Sequence, residues 1–193
     1  MRGIMVENYK EILYDNHKLE TERLVLRKAI KNDVFDMLEY ASDTETVKYL
    51  DWAGAKTVEE ILKGIVDFHW SNPGVWVIEL KESSKCIGTI DIRLKPEHEK
   101  AEFGFVLNRN YWNKGYMTEV LTTILQLCFT KLQLNRVESF HYTGNEGSGK
   151  VMQKCGMKFE GISEQGVKIK GIFRDVVRYG MTKDQWHSIN LNQ

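Results

Sequence analysis

The chain has 193 residues, 42% of them hydrophobic and 28% charged, with 27 basic and 27 acidic side chains. That composition fits a folded chain with a sizeable core and excludes a disordered polyelectrolyte. Balanced charge gives no reason to expect direct nucleic-acid binding, no apolar run reaches the roughly 18–20 residues of a membrane helix, and the N-terminal residues lack a signal-type apolar core, so a cytoplasmic location is expected, with no membrane partner.

Cys86, Cys128 and Cys155 are scattered and form no CxxC, which argues for core positions rather than disulfides or a thiolate metal site. His17, His69, His98 and His187 show no ligand spacing either, and no metal is expected. With two prolines, no linker and no repeat, the chain reads as a loose N-terminal arm over 1–18 and one domain over 19–193.

In chain order, Leu24–Lys28 is a short strand. Asn32 or Asp33 is placed to cap a helix whose Val34, Met37 and Leu38 share a face. Thr57 and Glu60 form a capping box for a second helix, which ends before the Asn72-Pro73-Gly74 turn. Three strands follow, Val75–Leu80, Lys85–Leu94 and Lys100–Leu107. In the last, Ala101, Phe103, Phe105 and Leu107 alternate with Glu102, Gly104 and Val106, so the two sets face opposite sides of a sheet. A strongly apolar helix runs from Thr118 to about Leu132, then come a strand at Arg136–Tyr142, a short helix at Gly147–Lys154 closed by Gly156, and a hairpin over Met157–Met181 turning near Lys170-Gly171. A long helix between them requires the Lys100–Leu107 and Arg136–Tyr142 strands to be parallel. The class is α+β, or mixed α/β.

Two strand-to-helix junctions carry chemistry. Asn108–Thr118 opens the long helix, where unpaired backbone N–H groups and the helix dipole suit a phosphate; Gly115 lets the backbone approach, Asn113 tolerates unusual dihedrals, and Lys114 adds charge. An ordinary loop is the plain alternative. Asn145–Phe159 opens the short helix, with Ser148 near the first turn, where a helix cap is the plain alternative. Gly144–Lys150 also matches GxxxxGK, but Val151 stands where a phosphate loop needs Ser or Thr, and too little chain follows for further βα units.

Taken together, the segments resemble the GCN5-related N-acetyltransferase (GNAT) superfamily, closest to its RimJ/RimL-like ribosomal-protein N-terminal acetyltransferase branch. The resemblance is carried by Leu19-Glu-Thr-Glu-Arg-Leu-Val-Leu-Arg27, Ala101–Leu107, Tyr111-Trp-Asn-Lys-Gly-Tyr-Met-Thr-Glu119, Leu134–Val137, Asn145-x-x-Ser148, Lys154–Met157 and Gly171–Asp175, in order from Leu19 to Trp186. It implies a twisted mixed sheet of six or seven strands flanked by helices. It also implies acetyl-CoA as co-substrate, its pantetheine along Phe105, Val106 and Leu107 and its pyrophosphate on Trp112, Asn113, Lys114, Gly115, Tyr116, Met117 and Thr118. Asn145 is implied for the pantetheine arm and Lys150 for a phosphate, unless Lys150 is simply solvated. Trp112 and Met117 depart from the superfamily's usual Gln/Arg and Gly/Ala at the loop ends, so a side-chain contact is lost there.

The implied reaction is direct attack of a primary amine on the thioester, through a tetrahedral intermediate, the acceptor being a protein N-terminus or a small amine. Glu102 is expected as general base, alone or through water, with His141 as the alternative; Ser148 is expected as the acid for the leaving thiolate, or as a contact to its sulfur. Trp52, Trp70 and Phe173 are expected to line the acceptor's mouth. A homodimer stays open. The competing readings are a non-catalytic CoA-binding regulatory domain and a P-loop nucleotide binder.

Overall fold

The computed structural model describes the backbone of residues 2–190 and the side chains of residues 8–189. It divides into two compact units, Met1–Ile92 with Gly104–Val120, and Arg93–Phe103 with Leu121–Gln193.

In the first unit, the described residues before Lys18 are largely helical. They form helix α1 (Arg2–Asp15), whose Tyr9 and Leu13, four apart and so on one face, are buried. The indole N–H of Trp76 donates to the Asn16 carbonyl at 3.1 Å and ties down the end of this segment. Strands β1 (Leu19–Glu20), β2 (Leu24–Arg27), β3 (Val75–Leu80) and β4 (Cys86–Lys95) pair antiparallel in that order, followed by β5 (Lys100–Leu107). With β1 the described residues hold eight strands, against the six or seven the resemblance implies; two residues are too few to show a period in sequence. Five of the six residues of β3 are buried, as for a strand covered on both faces, which is why it reads as a continuous apolar run.

Helices α2 (Val34–Ala41), α3 (Thr44–Val47) and α4 (Val58–Gly64) lie between β2 and β3 in the chain. Thr57 and Glu60 form the expected capping box on α4, which continues as a π-helical stretch over Ile65–Trp70. Val34, Met37, Tyr40, Ile61 and Ile65 pack with Val77 and Cys86 in one core. Burying an aliphatic or aromatic side chain of this kind contributes roughly 1.5–3 kcal/mol. Asp33 does not cap α2 with its side chain; it accepts from the Ile30 N–H and pairs with Arg27 instead.

His69 is 5% exposed, and its Nδ1 has no hydrogen-bond partner. Burial, reinforced by the nearby Lys28 charge, pushes its pKa down to about 4. The imidazole is therefore neutral in the folded state, while in the unfolded chain it takes a proton near the ordinary pKa of about 6.5. The unfolded state binds the extra proton in that window, so stability is lost as pH falls from about 6.5 to about 4, by about 3 kcal/mol. Urea unfolding of wild type and His69→Gln across pH 7 to 4 should show a wild-type advantage that shrinks with acid; a constant difference would remove His69 as the cause.

In the second unit, β5 lies parallel to β6 (Arg136–Tyr142), in register Lys100↔Arg136, Ala101↔Val137 and Glu102↔Glu138. The order continues β5-β6-β8-β7, with β7 (Lys158–Ile169) and β8 (Ile172–Thr182) antiparallel. Lys170 and Gly171, at φ 49° and 83°, make the two-residue turn, both in the left-handed region that matches strand twist. Helix α5 (Tyr116–Gln126), which belongs to this unit from Leu121 on, begins two residues earlier than expected and ends in a π-helical turn over Leu127–Lys131. Leu121, Ile124, Leu125 and Cys128 are at most 2% exposed, which accounts for its wide apolar stripe. Helices α6 (Glu146–Lys154) and α7 (Lys183–Asn190) complete the unit; α7 places Trp186 5.6 Å from the Phe129 ring. No helix among the described residues is long and apolar enough to cross a membrane.

Candidate active site

The first unit holds the β5–α5 junction. Asn108, only 3% exposed, ends the strand: its backbone N–H donates to the Ile87 carbonyl, its Nδ2 to Glu39, and its Oδ1 accepts from the Asn110 N–H to start a short 3-10 turn. Trp112 returns its indole N–H to the Leu107 carbonyl at 2.7 Å, so this side chain fastens the loop to the strand while staying partly exposed. Asn113 and Gly115 then adopt φ 59° and 81°. Both values are costly for most residues, and a short polar side chain and a glycine are the two choices that lower the cost. Trp112 through Gly115 are exposed, and the helix opens at once at Tyr116. Met117 is buried, and Tyr116 and Thr118 are half-buried. On β5 itself Phe105 and Val106 are half-buried and Leu107 is buried.

Three residues with no local sequence signal, Thr21, Arg23 and Glu119, surround this loop. Arg23 donates through Nε to Glu119 at 2.7 Å and through Nη1 to the Lys114 carbonyl at 3.0 Å, and its guanidinium lies 4.4 Å from the centre of the Tyr116 ring. Glu119 also accepts from the Arg23 backbone N–H and from the Thr21 hydroxyl. Burial pushes the Glu119 carboxyl up, but the bonds from Thr21 and Arg23 and the Arg23 charge outweigh it, and its pKa falls below the usual range. The only signal in sequence was that both residues lie in segments carrying the family resemblance; a pair 96 positions apart has no local pattern.

In the second unit, Glu102 is half-buried on β5, beside Glu138 across the parallel register. Residues in register point to the same face, so Ser139 and His141 point to the other. The two carboxylates are partnered unequally. Glu138 meets Lys100 at 2.8 Å, Arg136 at 3.0 Å and Lys95 at 3.7 Å, whereas Glu102 meets Arg93 at 3.3 Å. Burial raises the Glu138 pKa, but the Lys100 and Arg136 bonds bring it below the usual carboxylate range. His141 is 8% exposed, bonded through Nδ1 to the Tyr142 carbonyl and stacked on Tyr179, as a structural histidine is.

Asn145 occupies the N-cap of α6 without a side-chain bond to the helix. Ser148 is three residues in and half-buried, so the N-cap position belongs to Asn145. Gly149 has a steric reason: a Cβ there would come 2.7 Å from His141 Nε2. The second glycine of GxxxxGK thus serves helix-on-strand packing, and Lys150 is exposed. Since α6 packs through Gly149 on His141, and Gln153 bonds the Tyr179 hydroxyl at 2.8 Å, the helix covers the face away from Glu102. Ser148 lies in the first turn of that helix.

Burial raises the pKa of all three thiols, Cys128 to about 12 and Cys155 to about 11, with Cys86 higher still, so none is a thiolate nucleophile near pH 7. Trp52 is 39% exposed; Trp70 is 47% exposed but donates its indole N–H to the Ala29 carbonyl; Phe173 is 59% exposed with Lys168 5.3 Å from its ring centre.

The acetyltransferase (GNAT) domain model matches residues 23–158 of this chain. The chain belongs to the GNAT acetyltransferase family. This acetyltransferase is 30% identical over 173 residues to the N-acetyltransferase p20 of Bacillus licheniformis, covering 87% of this chain and 97% of the relative. A GNAT-family acetyltransferase structure from Bacillus anthracis superposes with a TM-score of 0.79 at 26% identity, covering 86% of this chain and 99% of that one. The fold of the ribosomal-protein-S5-alanine acetyltransferase from Vibrio fischeri matches with a TM-score of 0.72 at 22% identity, over 88% of this chain and 98% of that one.

Proposed function

We propose that this acetyltransferase moves an acetyl group from acetyl-CoA to a primary amine, with the N-terminal amine of a protein as the acceptor class. The observation that carries the donor assignment is the Asn113–Gly115 turn, two left-handed residues leading an exposed backbone into the first turn of α5. Such a turn fits a pyrophosphate on backbone amides, with Lys114 adding positive charge. Phe105 to Leu107 and Asn145 are the proposed pantetheine contacts, and Lys150 a phosphate contact. The acceptor assignment is supported by the fold shared with the Vibrio fischeri enzyme, whose name gives a ribosomal protein as substrate.

Bound acetyl-CoA supplies an acetyl carbon already activated as a thioester. The acceptor must lose a proton to attack, because a free alkylamine is mostly ammonium near pH 7. Glu102 takes that proton, directly or through a water. The base is assigned to it rather than Glu138 because Glu138 is committed to Lys100 and Arg136, and rather than His141 because that ring is buried on the other face. The neutral amine forms the N–C bond and a tetrahedral intermediate; as this collapses the C–S bond breaks with its electrons on sulfur, Ser148 protonates the sulfur, and the surplus proton on nitrogen passes through water to restore the Ser148 hydroxyl. The raised thiol pKa values of Cys128 and Cys155 support direct transfer over a route through a cysteine acyl carrier. Trp52, Trp70 and Phe173 are proposed acceptor contacts.

Thermal unfolding with acetyl-CoA at about 100 times its Kd should raise stability by about 2.7 kcal/mol. For a chain of this size that is a Tm rise of about 5–10 °C. Stabilisation by Mg-ATP and not by acetyl-CoA would reject the assignment in favour of a nucleotide binder. The acceptor is read by mass spectrometry after incubation with acetyl-CoA and a panel of N-terminal peptides, polyamines and free amino acids. Acetylated peptide α-amines support the reading; acetylation of small amines alone overturns the acceptor class.

A further inference from the structure

We infer that Arg23 is a positioning residue for the donor: by holding the Lys114 carbonyl it aims the Gly115 N–H at the site of the pyrophosphate. This rests on the proposed use of acetyl-CoA. The argument begins with the peptide bond. Among the described residues none is cis, and in a trans peptide the C=O and the following N–H point in opposite directions. Arg23 Nη1 takes the Lys114 oxygen at 3.0 Å, so the Gly115 N–H is turned away from Arg23. The positive φ of Asn113 and Gly115 on either side leaves this peptide plane without regular helix or strand bonding to set it. A Cβ at Gly115 would meet Arg23 Nη2 at 3.4 Å, so the guanidinium lines the back of the turn.

Arg23 is itself fixed from several directions. Its Nε and backbone N–H reach Glu119 at 2.7 and 2.8 Å, and its guanidinium lies over Tyr116. Thr21 accepts from the Leu24 N–H at 3.0 Å and donates to Glu119, which sets the turn that presents Arg23. Glu119 is in the first turn of α5, where a bare carboxylate would repel a bound anion; Arg23 neutralises it. A lysine keeps the charge but lacks the planar fork that bonds Glu119 and Lys114 together. Arg23 also brings a guanidinium to the loop whose own ends, Trp112 and Met117, carry no charge.

The test is titration calorimetry of wild type, Arg23→Lys and Glu119→Gln with two probes, acetyl-CoA and S-acetylpantetheine, which lacks the pyrophosphate. Arg23→Lys should weaken acetyl-CoA about tenfold, the scale of losing charge-assisted bonds. Its affinity for S-acetylpantetheine should stay within about twofold of wild type, which also reports a folded site, and Glu119→Gln should follow the same pattern. Equal weakening of both probes would make Arg23 a general scaffold residue and overturn the inference, as would unchanged acetyl-CoA affinity. If wild type itself binds no acetyl-CoA, the donor assignment fails; if wild type binds it and the variants match, only the role of Arg23 fails.

Discussion

Glu102→Gln should lower the maximal acetylation rate about 100- to 10,000-fold, the contribution typical of a positioned general base. Affinity for acetyl-CoA should change by less than about twofold, because the substitution removes an interaction needed in the transition state rather than one that holds the donor. The amide has the shape of the carboxylate and no basicity at neutral pH. It also leaves Arg93 without its Glu102 partner, but that side chain is half exposed, and a pair of this kind contributes at most about 1 kcal/mol. A lost rate therefore cannot be charged to unfolding if melting curves agree. Two controls separate the candidates on this sheet. Glu138→Gln breaks the bonds to Lys100 and Arg136 and should destabilise before it slows turnover. His141→Gln disturbs the Tyr179 stack and the packing of Gly149 on β6. Full turnover by the Glu102 variant at neutral pH would remove it from the mechanism.

Asp33→Ala should destabilise the fold by about 3–5 kcal/mol, the penalty for stripping a buried ion of its partner. Asp33 is 4% exposed and takes both terminal nitrogens of Arg27 at 2.8 Å, while Arg27 also meets Glu79 at 2.6 Å. The Asp33 bond and, against burial, the Glu79 bond hold the Arg27 guanidinium charged far above any working pH. It cannot shed its charge when Asp33 is removed, and Glu79 is left to compensate alone. The Ile30 N–H loses its acceptor as well. A fall in Tm of about 10 °C or more is expected for a chain of this length. Asp33→Asn, which keeps the shape but not the charge, should lie between wild type and alanine. A melting curve for Asp33→Ala within about 2 °C of wild type would show that the triad contributes little.

Much of the chain is legible because its signals are local. Alternation over Ala101–Leu107, the capping box at Thr57 and the Lys170-Gly171 turn each express a short-range rule and appear where the spacing predicts them; the apolar stripe expected from Thr118 lies on a helix that starts two residues earlier. The parallel pairing of β5 and β6 follows from the intervening helix, a constraint of connectivity rather than contact. The Asn113–Gly115 turn was visible because asparagine and glycine are the residues that tolerate positive φ.

Local rules fail where the deciding energy comes from distant groups. Asp33 reads as a helix cap because Asp before an apolar run usually is one; burial beside Arg27 decides otherwise. Helix α1 shows no strong amphipathic period; Tyr9 and Leu13 in the interior and the bond from Trp76 to Asn16 hold it. Glu102 and Glu138 are equivalent as letters, and only strand register shows that Lys100 and Arg136 claim one of them. Arg23 and Glu119 lie 96 positions apart. The main strands and helices from Leu24 to Met181, their order, and a glycine-bearing turn at a helix start are legible in the sequence, because backbone preference and hydrophobic period act over a few residues. Tertiary structure alone decided which charges meet, which face each side chain takes, and which way the Lys114 peptide points, because those depend on the distances between segments that only folding brings together.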